Sequence, residues 1–267
     1  MDFVEVNGTA LRYELTGAAA SAATMVLIHE MGGTLESFDG VVPLLTGNRR
    51  VLRYDTRGAG LSQKIRGAVS IDTMVDDLAA LLDAVGVAGK VALAGVAVGG
   101  AIALHAAVRC PERVAAVVVS SPATGIARDR RPAVMALLER IDRDGMPAAA
   151  HSHDASYPAA LRGDSARFAA FRARWLGNDP SSYAAIYRML AATDLRPELP
   201  NIACPALVLA CALDGTRPPA LVEPVARAIP GAHYAVLHTG HYAAVQTPEL
   251  YARAITDFCS AVQPPIV

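Results

Sequence analysis

Four stretches of this 267-residue sequence decide what chemistry the chain could do. Gly95-Val96-Ala97-Val98-Gly99 follows the apolar run Val91 to Ala94 and leads into Gly100-Ala101-Ile102-Ala103-Leu104-His105, a stretch of helical composition. Strand, sharp turn and helix in direct succession present one central side chain at the top of a sheet, and small flanking residues let helix and strand approach closely. The central residue is Ala97, whose methyl group cannot attack a carbonyl, so no acyl-enzyme forms there. Far downstream lie Asp214-Gly215 and Gly240-His241-Tyr242. A carboxylate that orients an imidazole makes a general base suited to neutral pH. Upstream, His29-Glu30-Met31-Gly32-Gly33 is a loop whose backbone N–H groups could face the turn. Two glycines four apart are weak evidence alone and equally describe a tight packing turn; their company gives them weight.

These pieces need a sheet to hold them. Asp2 to Val6 and Ala10 to Leu15 read as strands joined at Asn7-Gly8, a dipeptide suited to a hairpin. Apolar runs then alternate with helical patterns: Thr24 to His29, Val51 to Tyr54, Val91 to Ala94, Val114 to Ser120, Ala206 to Ala210 and Ala235 to Leu237. Strands buried on both faces read as such continuous runs, which predicts a mostly parallel sheet with crossover helices. One helix is predicted over Ile71 to Val85, with Met74, Leu78, Leu81, Leu82 and Val85 on its buried face and Asp72, Asp76, Asp77 and Asp83 mostly opposite. The alternation breaks between about Gly125 and Leu199, where Arg- and Ala-rich helical segments suggest an insertion over the sheet. Its arginines slightly outnumber its acids, which a solvated face mostly explains and an anionic substrate would also use.

In chain order the turn at Ala97, Asp214-Gly215 and His241, preceded by the His29 loop and Asp55-Thr56-Arg57-Gly58-Ala59-Gly60-Leu61-Ser62, resemble the α/β-hydrolase family, and within it small lid-bearing enzymes such as 3-oxoadipate enol-lactonases. The resemblance implies an α/β class fold, a mostly parallel central sheet flanked by helices. Residues 1–124 and 200–267 would form the core and 125–199 a helical lid. It implies a triad in which Asp214 is the acid and His241 the base, an oxyanion hole from the N–H groups of Met31 and Val98, and a pocket that Trp175 and Tyr183 could line, although apolar packing suits both equally. The implied activity is hydrolysis of a small ester, lactone or amide, without a cofactor. Two departures stand out. Ala97 occupies the nucleophile position, and Glu30 stands where such loops usually carry glycine; Glu30 reads either as a surface carboxylate paired with an arginine such as Arg57 or as an accessory group in the site.

The alanine has three readings. An engineered Ser→Ala change would leave binding intact and remove the nucleophile. A native alanine would turn the site to chemistry without a covalent intermediate, with His241 as general base and Glu30 assisting, in direct hydrolysis, elimination or cofactor-free oxygen chemistry. A ligand-binding relic would keep the pocket alone.

Composition bounds the rest. The formal net charge is -1 and charged residues make up 18%, so nucleic-acid binding has no electrostatic support. Apolar runs end well short of the roughly 20 residues a bilayer-spanning helix needs, and no basic-then-apolar leader opens the chain, so a soluble cytoplasmic protein with a small-molecule substrate is expected. Cys110, Cys204, Cys211 and Cys259 stand far apart and read as reduced structural thiols. His105 reads as helix packing. His151, His153 and Asp154 have a spacing that could bind a metal but lack a fixed fourth ligand, so no metal is expected.

Overall fold

The computed structural model describes residues 1–17, 23–47 and 49–262. Its strands are β1 (Asp2–Val6), β2 (Thr9–Thr16), β3 (Thr24–Ile28), β4 (Arg50–Tyr54), β5 (Val91–Val96), β6 (Val114–Ser120), β7 (Ala206–Cys211) and β8 (His233–Leu237). They form one sheet in the order β1-β2-β4-β3-β5-β6-β7-β8. Only the first two contacts in that order, β1 with β2 and β2 with β4, are antiparallel. Every residue of β3, β5 and β7 is buried, as strands covered on both faces require.

The α-helices are α1 (Val42–Leu45), α2 (Ile71–Ala84), α3 (Val98–Arg109), α4 (Arg131–Asp144), α5 (Ala150–Ala155), α6 (Ser165–Leu176), α7 (Pro180–Ala192), α8 (Pro219–Ala228), α9 (Ala243–Gln246) and α10 (Pro248–Val262). Strand alternation sorts the core into two layers. Val26, Ile28, Leu93 and Val117 pack with α2, α3 and α8, whereas Met25, Leu27, Ala94 and Val118 pack with α1 and α10. Ser70 starts α2 by accepting from the Thr73 N–H, and its apolar stripe follows the sequence pattern with one correction. Asp77 does not face solvent: it is buried, and the Arg57 guanidinium forks onto both its oxygens at 2.7 Å. His105, expected as packing, bridges Asp72 and Glu198 at 2.8 and 2.7 Å. The four cysteines are free.

Segment 125–199 carries α4 to α7 between β6 and β7 and ties itself to the sheet end by specific bonds. Asn178 donates to the Gly32 carbonyl (2.8 Å), the Ser182 hydroxyl accepts from the Ile65 N–H (2.9 Å), and the Ser156 and Thr216 hydroxyls meet at 2.8 Å. Among the described residues no helix is long and apolar enough to cross a membrane.

Candidate active site

The loops that leave the C-terminal ends of parallel strands converge at one edge of the sheet, where open α/β sheets bind ligands. Loops after β3, β5, β7 and β8 bring Glu30 and Met31, Ala97, Asp214 and His241 there. The turn at Ala97 has the strained backbone that presents a central side chain: φ 51° and ψ -107°, left-handed for a residue with a Cβ. Such strain costs on the order of 1–3 kcal/mol and persists only when its surroundings hold it. Here the Ala97 N–H donates to Ser120 and its carbonyl accepts from Ala101 and Ala123. Gly99 permits the close pass of α3: a Cβ there would lie 2.1 Å from the Ile28 carbonyl oxygen.

Asp214 and His241 meet, the carboxylate Oδ2 lying 2.7 Å from the imidazole Nδ1. The other oxygen, Oδ1, accepts from the Thr216 and Arg217 N–H groups at 2.8 Å each. Burial pushes the Asp214 carboxyl up, but the hydrogen bond and charge of His241, with the Arg217 N–H, outweigh it and hold the group below its usual range. An ionised Asp214 fixes the proton of His241 on Nδ1 and leaves Nε2 as the basic nitrogen. The site therefore has its imidazole and carboxylate in working geometry, while residue 97 contributes only a methyl group.

The N–H groups of Met31 and Val98 have no hydrogen-bond partner among the described residues, so both remain available to an incoming oxygen. His29 braces this loop, its Nδ1 against the Glu30 carbonyl (2.8 Å) and its Nε2 accepting from the Thr56 N–H (3.0 Å). Glu30 is not a surface carboxylate paired with Arg57. It is 1% exposed, Ser37 donates to its Oε1 at 2.7 Å, and its Oε2 is buried without a partner. Trp175 and Tyr183 both cover Gly32: a Cβ on that residue would lie 2.7 Å from Trp175 Cδ1 and 3.0 Å from Tyr183 Cε2.

A model of the serine aminopeptidase S33 family of hydrolases matches residues 19–240. The chain belongs to this family of α/β-hydrolases. Similar proteins include 3-oxoadipate enol-lactonase 2 of Acinetobacter baylyi, 26% identical over 95% of this chain and 94% of that protein. Among solved structures, the enol-lactonase of Burkholderia xenovorans LB400 superposes with a TM-score of 0.92 at 29% identity, covering 97% of this chain and 99% of that one. A thermophilic esterase of Thermogutta terrifontis does so at 0.90 and 27% identity, over 98% and 99% of the two chains. The expected fold class and the expected family are both found. The family is named for serine enzymes, and this α/β-hydrolase carries alanine at the turn.

Sequence reasoning gave His153 little weight except as part of a metal set. In the structure it pairs with Asp154 (3.3 Å), which Arg172 holds through both carboxylate oxygens. Among the described residues no group of three or more His, Cys, Asp or Glu is placed to hold a metal. His153 stacks on Trp175 at 4.3 Å and Phe171 at 5.1 Å, within 5.5 Å of the Tyr242 ring, and its buried Nε2 has no partner. Burial drives its pKa down to about 4 against the pull of Asp154. An unfolded histidine titrates near 6.5, so the unfolded chain binds the extra proton first, and stability present above that pH is lost as pH falls toward 4. Urea unfolding should show the fold losing about 2 kcal/mol between pH 7 and pH 5 through this group. His153→Phe should remove that share of the slope; an unchanged slope in a folded variant would contradict it.

Proposed function

We propose that this α/β-hydrolase cleaves a small ester or lactone by direct attack of water, with no covalent intermediate. The observation that carries the reading is the 2.7 Å contact of His241 with Asp214 beside a fully formed turn whose residue 97 has no side-chain oxygen. His241 Nε2 takes a proton from water, and the hydroxide adds to the acyl carbon. The tetrahedral oxyanion lies against the N–H groups of Met31 and Val98. On collapse the imidazolium returns the proton to the leaving alkoxide, and the carboxylic acid so formed gives its own proton to solvent and departs as the carboxylate. Asp214 stays ionised throughout, holding the ring and balancing its transient charge.

Segment 125–199 acts in this reading as the lid, with Trp175 and Tyr183 over the oxyanion loop excluding bulk water, which strengthens the electrostatic contacts inside. The expected result is turnover of p-nitrophenyl acetate, or of a member of a panel of small esters and lactones, above the buffer rate by the unaltered chain. No turnover of any of them by folded protein would overturn the reading.

A further inference from the structure

A second histidine–carboxylate pair lies in segment 125–199, outside the site already described. His153 of α5 is buried, and its Nδ1 lies 3.3 Å from Asp154 Oδ1. Two rings of α6 lie against it within 27° of parallel, Trp175 at 4.3 Å and Phe171 at 5.1 Å. Tyr242, from the loop after β8, approaches it at 5.5 Å. The cluster spans a seam between the segment and the loops of the site. Tyr242 follows the base His241 and also meets Phe171 at 4.8 Å, while Trp175 covers Gly32 of the oxyanion loop. Within this cluster Nε2 of His153 is buried and has no partner among the described residues.

The groups facing this ring leave an imidazolium unsupported. Arg172 of α6 already holds both oxygens of Asp154, its Nε 3.0 Å from each. Arg162, from the turn before α6, donates to the Asp154 carbonyl at 2.5 Å and lies over the Phe168 ring at 4.4 Å. The phenol of Tyr242 stays neutral, because burial raises its pKa. Protonating His153 would place a second N–H donor on Nε2, among aromatic rings and without an acceptor. Burial therefore opposes the charge more than Asp154 favours it, and the two arginines add to the opposition, in keeping with a pKa of about 4.

We propose that His153 is an acid-released latch: neutral, it holds segment 125–199 down on the loops of the site, and protonated, it lets the segment lift away. An imidazolium is accommodated only when water reaches Nε2, which requires the rings of Trp175, Phe171 and Tyr242 to part, and parting them unseats Trp175 from Gly32. Polar ties across the seam exchange for water once the rings part: Asn178 to the Gly32 carbonyl (2.8 Å), Ser156 to Thr216 (2.8 Å) and the Gln246 amide to the Ser156 carbonyl (3.4 Å). An exposed histidine titrates near 6.5, so the open form binds the proton first, and each unit of pH lost between about 6.5 and 4 raises the opening equilibrium about tenfold. Asp154 does not share this window. Burial raises its carboxyl, but Arg172 and His153 outweigh burial and hold it below its usual range, so its contribution is lost only below about pH 3.9. The role given to His153 rests on the reading of segment 125–199 as the cover of the site, and it adds what releases that cover.

Amide hydrogen exchange followed by mass spectrometry between pH 6.5 and pH 4 tests the latch, read as protection factors so that the intrinsic pH dependence of exchange is removed. In the unaltered chain the protection of α6 should fall about tenfold per pH unit, and at every pH it should stay below that of β5, whose amides open only with the whole fold. His153→Phe keeps a ring in the cluster without a proton to bind and should make the α6 protection flat across this range; His153→Gln replaces it should the phenylalanine variant fail to fold. Three results would overturn the latch: flat α6 protection in the unaltered chain, a slope that survives in folded His153→Phe or His153→Gln, or α6 protection equal to that of β5, which would mean that the segment leaves only when the chain unfolds. Turnover is not read, so opening with the expected slope in a chain that hydrolyses nothing would reject the water mechanism alone, and ester cleavage by a chain without that slope would reject the latch alone.

Discussion

Ala97→Ser should raise the rate of ester cleavage by about 10²- to 10⁴-fold. The estimate follows from two magnitudes. Losing the nucleophile of a triad costs on the order of 10⁶ in turnover, and a well-placed general base acting on water recovers about 10² to 10⁴ of it. The backbone is ready for the change: residue 97 already sits at φ 51° and ψ -107°, and its N–H and carbonyl are held by Ser120, Ala101 and Ala123. A hydroxyl added there needs no rearrangement of the turn, and the imidazole that would take its proton is already oriented by Asp214. The gain should bring a change of mechanism, with burst kinetics and labelling by a fluorophosphonate that leaves the unaltered chain untouched. A folded Ala97→Ser protein that neither gains rate nor labels would show that His241 does not face residue 97.

The second large effect concerns the base. His241→Ala should lower turnover by the unaltered chain about 10²- to 10⁴-fold, the share that general-base catalysis supplies. Asp214→Asn should come close to that loss with the histidine in place. An amide would donate to Nδ1 and so place the ring proton on Nε2, leaving the nitrogen that faces water without its lone pair. Because the two side chains work as one unit, the double variant should be little worse than either single one. Full activity in His241→Ala would reject the proposed base, and losses that multiply would show that the two act independently.

Much of this site is legible in the sequence because its parts are local. A strand ending in Gly95, a single turn residue and a glycine-rich helix start determine the turn at Ala97 within a few residues of chain, and the six parallel strands announce themselves as short apolar runs. Asp214 and His241 follow their strands closely, so strand order alone carries them to the same edge. What stayed hidden depends on partners distant in sequence. Glu30 reads as a surface carboxylate or an accessory group until the fold buries it against Ser37, and Asp77 reads as solvated until Arg57 reaches it from the loop after β4. His153 gains its setting only when α5 and α6 pack and surround it with Phe171 and Trp175.

The central claim is that water, with no enzyme atom bonded to the acyl group, is the attacking species. Rapid quenching during turnover of p-nitrophenyl acetate, followed by intact-mass measurement of the chain, tests it directly. The account predicts steady release of nitrophenol from the first turnover and a protein of unchanged mass, with an acetylated species present only in Ala97→Ser. An acetyl adduct that forms and decays on the unaltered chain at the rate of turnover would contradict it.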